Sequence, residues 1–206
     1  MIADRRARHP DSSFYAALDV HLARAEHRFA DAVAVGRTAL DRTPADDRNR
    51  AWLAVIHAES LVEVGDLTSA RAGVEAVLAG APDSADALAA LARVLNRSGA
   101  DPALAEMAAR AAIRLDPAET EYAVLLGRAL VSRGRFAEGL ALLDRARSDE
   151  ACAARAWFWE DLGDARAAAG DRAGAAAAYA EAEKRIPPAA GPDDPYRRRL
   201  AAKPRP

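Results

Sequence analysis

Histidine and cysteine are the residue types that most often bind metals or act as nucleophiles, and this sequence contains few of either. The four histidines, His9, His21, His27 and His57, include no pair four residues apart and no H-E-x-x-H arrangement. The one cysteine, Cys152, has no histidine near it in the sequence, so we interpret it as a small buried residue rather than a nucleophile. Phosphate-binding loops, dinucleotide fingerprints and G-x-S-x-G elbows are also missing from the sequence. We therefore predict no catalytic residue, no metal site and no cofactor, and hence a protein that is not an enzyme.

Charge and hydropathy narrow the classes of partner. The 206 residues include 29 basic and 31 acidic side chains, the net charge is -2, and neither sign forms a long block. No segment approaches the ~18 apolar residues of a membrane span. Residues 1–10 are basic with no apolar stretch behind them, so we expect neither a secretory nor a twin-arginine signal in this segment. We expect a cytoplasmic protein that binds neither nucleic acid nor membranes.

A regular glycine interval indicates how the chain is organised. Hydrophobic residues make up 51% of the sequence but aromatic residues only 5%, so alanine and leucine supply most of the apolar surface, which favours helices. Gly65, Gly99, Gly134 and Gly170 follow one another at intervals of 34, 35 and 36 residues. Each glycine ends one apolar pattern of helical period and precedes another, and glycine readily adopts the conformation that stops a helix. The interval therefore predicts repeated helical hairpins.

The last repeat carries the most specific motif. Its characteristic residues are Trp159, Leu162, Gly163, Gly170, Ala175, Tyr179, Ala182 and Pro187. They resemble the signature of the tetratricopeptide repeat (TPR) family, W-x-x-L-G followed by small, aromatic, small and proline positions. The preceding repeat is a weaker copy, with Gly139 at the small position and no closing proline.

The same pattern continues towards the N-terminus. Two further repeats carry Leu91, Ala92, Gly99, Ala105, Ala109 and Pro117, and Ala58, Leu61, Gly65, Ala70, Val74 and Pro82. The first repeat departs from the pattern, as terminal repeats often do, because one of its faces meets water. His27 stands where the turn glycine is expected, and Asp19 stands where leucine is usual. Its second helix fits through Phe29, Ala32, Ala39 and Pro44.

The resemblance implies an all-α fold, a right-handed superhelical solenoid of about five TPR-like hairpins in which neighbouring repeats bury one another's apolar faces. The solenoid is expected over residues 11–187, with units at about 11–44, 51–82, 85–117, 120–150 and 156–187. A flexible segment at 1–10 precedes it. Residues 188–206 form either a capping helix or a disordered tail, and in the first case Asp194 and Pro195 begin the helix.

The resemblance also implies a binding groove. In this family the first helices of successive hairpins line a concave groove, which side chains at their second, fifth, ninth and twelfth positions usually face. The candidate ligand-contacting residues at or beside these positions are Trp52, Glu59, Arg93, Asn96, Arg97, Arg128, Trp157 and Glu160.

Arg93 and Arg128 occupy equivalent positions in adjacent repeats, which leaves two interpretations. Together they would bind an acidic or C-terminal peptide group, because a guanidinium pairs well with a carboxylate. Alternatively they pair with Glu121 or other acids of this chain, which we favour because surface charges are usually solvated or paired. The lysine- and asparagine-rich carboxylate clamp of chaperone-binding relatives is not reproduced. For Trp52 and Trp157 the sequence allows either packing or ligand contact. Trp159 is expected to pack within its own hairpin.

These observations favour a protein-protein interaction scaffold that binds a peptide or protein segment in the groove. The alternative is a regulatory or substrate-presenting subunit of an enzyme complex, which would change the kinetics of its partner enzyme. Self-association through the exposed ends of the solenoid is a further possibility. The sequence does not identify the partner, because a fold does not specify a ligand.

Overall fold

The apolar periodicity of the sequence is realised as helices in the computed structural model, which describes residues 12–203. The described residues form twelve helices and no strand. The first compact unit, which ends at Pro82, contains α1 (Ser13–Ala25), α2 (Phe29–Arg42), α3 (Arg50–Val64) and α4 (Leu67–Gly80). The second unit, from Asp83, contains α5 (Ala85–Ser98), α6 (Pro102–Leu115), α7 (Thr120–Ser132), α8 (Phe136–Ala146), α9 (Glu150–Ala153), α10 (Ala156–Ala168), α11 (Arg172–Lys184) and α12 (Pro195–Ala201). None of these helices is long and apolar enough to cross a membrane.

Consecutive helices pack as hairpins. In the first unit α1 pairs with α2 and α3 with α4, and in the second unit α5 pairs with α6, α7 with α8 and α10 with α11. Within each unit the first helices of adjacent hairpins also pack on one another, since α1 contacts α3 and α7 contacts both α5 and α10. The predicted helical hairpins are therefore confirmed for the described part of the chain.

The turns inside the hairpins explain the glycine interval. Gly65, Gly99, Gly134 and Gly170 have φ values of 88°, 66°, 77° and 87°. In this left-handed region an L side chain clashes with its own backbone, whereas glycine is unstrained. His27, at the corresponding place in the first hairpin, is the one non-glycine residue with positive φ in residues 12–203, at 59°. The same turn conformation thus occurs in all five hairpins.

Several helices begin at a side chain that the sequence supplies for this purpose. Asp66, Ser84, Asp101 and Asp171 each accept a hydrogen bond from the backbone N–H three residues further on. These caps satisfy N–H groups that have no partner inside the helix. They fix where α4, α5, α6 and α11 start, and so help to set the length of each hairpin.

A short helix that the sequence analysis did not predict follows the fourth hairpin. That hairpin lacks the closing proline, and α9 lies between it and α10. Asp149 caps α9 by accepting a hydrogen bond from the Cys152 backbone N–H at 2.9 Å. The Cys152 side chain is buried in the core of the second unit, so it is the packing residue that the sequence predicts.

Each unit has its own hydrophobic core, in which small residues allow close packing of helices. The core of the first unit contains Ala17, Val20, Ala23, Ala32, Leu53 and Ile56. The core of the second unit contains Val124, Val131, Leu143, Ala146, Cys152, Phe158, Leu162, Ala165 and Ala178. Beside the second core, a Cβ added to Gly163 would overlap the Tyr179 ring, so the close spacing of α10 and α11 depends on glycine there.

The predictions for the two ends of the chain have different outcomes. The flexible segment expected at 1–10 lies outside the described residues. A capping helix or a disordered tail was expected for residues 188–206, and the described part of this segment, up to residue 203, contains a helix, α12, which packs against α10 and α11. Asp194 caps it by accepting hydrogen bonds from the Tyr196 and Arg197 backbone N–H groups. Tyr196 is buried, with 4% of its surface exposed.

Candidate functional site

Arginine and carboxylate side chains link the first helices of the three hairpins in the second unit. We call this set the ion-pair surface, and its members are Arg93, Arg97, Glu121, Arg128, Glu160, Asp161 and Asp164. All seven lie on α5, α7 or α10. The hairpin fold brings them together because these three helices stack in sequence order.

The two arginines that were predicted to be equivalent each pair with acids of the next hairpin. Arg93 of α5 forms an ion pair with Glu121 of α7. Arg128 of α7 lies 3.5 Å from the Asp161 carboxylate and 3.4 Å from the Asp164 carboxylate, both on α10. Arg128 also donates to the Asp161 backbone carbonyl at 3.2 Å. Pairing of Arg93 with Glu121, one of the two interpretations of the sequence, is what the structure contains.

Glu160 is the most deeply buried charge of the ion-pair surface, with none of its surface exposed. Arg199 of α12 contacts both carboxylate oxygens, with Nε 2.8 Å from Oε1 and Nη2 2.9 Å from Oε2. Arg97 of α5 donates to Oε1 at 3.3 Å, and Lys203 Nζ lies 3.8 Å from the same oxygen. A buried carboxylate is costly unless cations compensate it, and these three cations converge on this one.

Asp161 and Asp164 lie one turn apart but differ electrostatically. Burial raises the pKa of Asp161, against the opposing effect of Arg128 and Arg97. Burial also disfavours the charged form of Asp164, but Arg128 and Lys203 outweigh it and hold its pKa below the ordinary value. Asp164 accepts hydrogen bonds from Lys203 Nζ at 2.6 Å and from the Tyr179 hydroxyl at 2.8 Å. Asp164 is therefore the firmer anion of the two.

Trp157 and Asn96 lie beside the ion pairs. The Arg93 guanidinium is 5.1 Å from the centre of the Trp157 ring, which is partly buried against the core of the second unit. Asn96 Nδ2 donates to the Leu125 backbone carbonyl at 2.9 Å and so ties α5 to α7. Both residues therefore support the ion-pair surface as well as bordering it.

Six of the eight predicted site residues belong to this surface or border it, and the other two lie in the first unit. There Glu59 pairs with Arg24 at 2.6 Å, between α3 and α1. Trp52 packs against the core of that unit, with its ring 5.9 Å from the Phe14 ring. Trp159, predicted to pack within its own hairpin, packs against the core of the second unit and donates from Nε1 to the carbonyl of Ala153, which lies on α9 outside that hairpin, at 2.8 Å.

Sequence reasoning missed the contribution of residues 188–203. Arg199 and Lys203 were assigned no role, yet they bind Glu160 and Asp164. The available signal was the helix start formed by Asp194 and Pro195, together with the basic stretch that follows it. That basic stretch faces α10, the acidic first helix of the last hairpin.

Burial shifts the pKa values of Cys152 and His57, two residues of types that often act in catalysis. Burial, with a smaller contribution from Asp149, raises the pKa of Cys152 to about 12, so its thiol is neutral at physiological pH. Burial lowers the pKa of His57, and Arg37 adds to this effect. Within residues 12–203, no group of three or more histidine, cysteine, aspartate or glutamate side chains could hold a metal ion.

Solved structures with a similar arrangement of helices are TPR proteins. TTC0263, a thermophilic TPR protein from Thermus thermophilus, is 19% identical over 93% of this chain and 98% of its own, with a TM-score of 0.67. YrrB, described as a TPR protein with an unusual peptide-binding site, is 18% identical over 97% of each chain, with a TM-score of 0.51. MamA from Desulfovibrio magneticus is 16% identical over 84% of this chain and 94% of its own, with a TM-score of 0.53.

No family model matches the sequence, and no curated protein is significantly similar to it. The fold assignment therefore rests on structure and on the repeat residues. The likeness covers nearly the whole chain, and the hairpin turns lie at the positions that the repeat predicts. The predicted all-α fold is thus confirmed, and it is the fold of the tetratricopeptide-repeat proteins.

Proposed function

We propose that this chain is a protein-interaction scaffold and that the ion-pair surface of its second unit binds a segment of another protein. The observation that carries the proposal is that nine charged side chains from three hairpins and the C-terminal segment converge there, including the fully buried Glu160. Such a cluster is expensive to build for stability alone, because the desolvation of buried ions offsets most of their attraction. Retaining it therefore favours a role in recognition.

The fold supports the same proposal. Stacked hairpins hold side chains from several helices in fixed positions, which is how repeat proteins present extended binding surfaces. YrrB, a TPR protein of similar fold, has a peptide-binding site. A peptide or protein segment is therefore the class of ligand that we propose for this chain.

The charge arrangement argues against simple capture of an acidic peptide. Arg93 and Arg128 already pair with Glu121, Asp161 and Asp164. A carboxylate of the ligand would only replace one of these partners, so the net gain from exchanging one ion pair for another is small. Trp157, which lies under Arg93, is the better anchor, because aromatic residues contribute most to protein interfaces.

Site-specific photo-cross-linking in native cells tests the proposal. Replacement of Trp157 by p-benzoylphenylalanine keeps an aromatic group beside the ion-pair surface. The same replacement at Met107, which is 66% exposed on α6, is the matched control on the second helix of a hairpin. We expect a discrete cross-linked partner from position 157 that position 107 does not yield. Equal yields at both positions, or no adduct at position 157, would overturn the proposed binding surface.

A further inference from the structure

The ion-pair surface is in contact with the C-terminal part of its own chain. Arg199 binds Glu160 through both carboxylate oxygens, and Lys203 binds Asp164 at 2.6 Å. Lys203 also lies 5.7 Å from the centre of the Tyr179 ring. These contacts place a guanidinium and an ammonium, four residues apart, on the acidic helix α10.

The contacts of α12 combine ion pairs with a buried aromatic ring, which distinguishes it from a purely apolar cap. Of its seven residues, Tyr196 is buried and Leu200 is half-buried, whereas Arg198 is exposed. A helix of this length is not stable in water by itself, so it depends on docking for its structure. We expect the docking free energy to be modest, because Tyr196 is the one buried residue of α12 and the net contribution of ion pairs is small.

Release of α12 would not leave unpaired buried charges. Glu160 keeps Arg97 at 3.3 Å, and Asp164 keeps Arg128 at 3.4 Å and the Tyr179 hydroxyl at 2.8 Å. Each carboxylate therefore has at least one partner on the hairpins and at least one on the C-terminal segment. The second set of partners can be exchanged for equivalent groups without the large penalty of an uncompensated ion.

The segment that joins α11 to α12 is suited to letting α12 move as a unit. Residues 187–195 contain four prolines and one glycine, and they form two turns, closed by hydrogen bonds from Ala190 N–H to the Pro187 carbonyl and from Asp194 N–H to the Gly191 carbonyl. Prolines stiffen the turns and prevent continuation of α11 into α12. The linker thus separates α12 from the hairpins, so that α12 docks on the ion-pair surface and dissociates from it independently of α11.

We propose that α12 is a built-in ligand of the ion-pair surface and that a basic helical segment of the partner protein displaces it. Tyr196 and Arg199 lie three residues apart in α12, and Lys203 follows just beyond the end of the helix, so the displacing segment presents an aromatic residue and an arginine on a short helix and a lysine directly after it. This inference rests on the proposed function for the existence of a partner, and it adds the chemistry of that partner and a means of regulating its access.

Binding of a model peptide to the full chain tests the inference. The probe is a fluorescein-labelled peptide with the sequence of residues 193–203, blocked at its C-terminus, and the measurement is fluorescence anisotropy. In the chain carrying R199E and K203E, the reversed charges repel α12 from Glu160 and Asp164 and leave the surface accessible. We expect this variant to bind the peptide about 10-fold more tightly than the unsubstituted chain, since the docked segment no longer competes.

Two matched variants identify the source of the gain. R197E with R198E makes the same change of charge within α12, at residues that form no ion pair with α10 within residues 12–203, and it should leave the affinity unchanged. E160Q with D164N, added to R199E and K203E, should remove the gain. Equal peptide affinity in all variants, or a gain that survives E160Q and D164N, would overturn the inference. Circular dichroism establishes that each variant retains its helices.

Hydrogen exchange of the unsubstituted chain provides a test that needs no substitution. Raising the salt concentration from about 0.05 M to about 0.5 M weakens the partly exposed Lys203–Asp164 pair more than the buried contacts within the hairpins, so it should accelerate exchange in α12 while α10 stays protected. Equal protection of α12 and α10 at both concentrations would mean that α12 is a fixed structural cap. If the unsubstituted chain sediments as a dimer and the variant with R199E and K203E sediments as a monomer, α12 docks on a second copy of the chain. That result would overturn docking within one chain.

The outcomes separate this inference from the proposed function. A partner cross-linked at position 157 together with unchanged peptide affinities would preserve the scaffold and overturn the role of α12. Peptide affinities that follow the charge changes, with no partner at position 157, would preserve the role of α12 and overturn the proposed binding surface for a cellular partner.

Discussion

Glu106, on α6, illustrates how a single buried carboxylate is stabilised on a part of the second unit away from the ion-pair surface. Its side chain is 8% exposed, and three arginines contact it. Arg110 lies 2.8 Å away in the same helix, Arg133 lies 2.5 Å away at the end of the next hairpin's first helix, and Arg135 lies 3.0 Å away. Burial disfavours the Glu106 anion, but Arg110 and Arg133 outweigh it and lower its pKa.

Glu106→Gln should destabilise the chain in a pH-dependent way. At neutral pH we expect a loss of about 1–3 kcal/mol, because hydrogen bonds between charged groups are replaced by weaker ones. A carboxyl whose pKa is lower in the folded state stabilises the fold above its unfolded-state pKa. The difference between the two proteins should therefore shrink as the pH falls below about 4.5 and towards the folded-state pKa. Urea denaturation at a series of pH values measures it.

Glu138→Gln is the control for this prediction. Glu138 pairs with the same Arg135 at 2.6 Å, but its side chain is 59% exposed. Water screens this pair, so the substitution should leave the midpoint of urea denaturation unchanged. An equal effect of the two substitutions would show that burial of Glu106 is not what makes its ion pairs stabilising.

At the scale of the helices, packing between α10 and α11 depends on the absence of a side chain at Gly163. A Cβ at this position would overlap Tyr179 Cε1, and the Tyr179 ring is held by the hydrogen bond from its hydroxyl to Asp164. The ring cannot move away without loss of that bond. The signature residues Gly163 and Tyr179 thus act as a pair that sets the distance between two helices.

Gly163→Ala should destabilise the second unit by about 1–3 kcal/mol, the usual cost of overpacking. Gly73→Ala, in α4, is the matched control, since the nearest atom to the added Cβ is Ala58 Cβ at 3.9 Å, an ordinary contact. There the higher helix propensity of alanine should raise stability by up to about 1 kcal/mol. Thermal unfolding followed by circular dichroism measures both effects, and a stabilising Gly163→Ala would contradict the packing argument.

More of the helical hairpins than of the candidate site could be predicted from the sequence. Four of the hairpins were predictable because each turn has a local signal, a glycine at the repeat interval, whereas the first hairpin has His27 at its turn and was recognised through its second helix. The environment of Glu160 was not predictable, because its cations come from Arg97, 63 residues earlier, and Arg199, 39 residues later. The helix α12 was undecided from sequence for a related reason, since its seven residues form a helix only through docking.

At the scale of the second unit, one ion-pair cluster connects helices that are not neighbours in the stack. Arg97 of α5 reaches Glu160 of α10 past the intervening α7, and Arg199 reaches the same carboxylate from α12. In a stack of hairpins most contacts join adjacent repeats, so stability is approximately a sum of local terms. Glu160 introduces a contact of longer range, which makes the stability of the unit depend on more than adjacent pairs.

A double-mutant cycle on Arg97→Gln and Arg199→Gln tests this long-range coupling. Each single substitution should cost about 1 kcal/mol or less, because the other arginine still compensates Glu160. The double variant leaves the buried carboxylate with the more distant Lys203, 3.8 Å away, so the loss should exceed the sum of the single losses by about 1–3 kcal/mol. Urea denaturation gives the four free energies of unfolding.

A parallel cycle with Arg198→Gln in place of Arg199→Gln should be additive, since Arg198 is exposed on the same helix. Additivity in both cycles would mean that Glu160 does not couple the hairpins and the C-terminal helix.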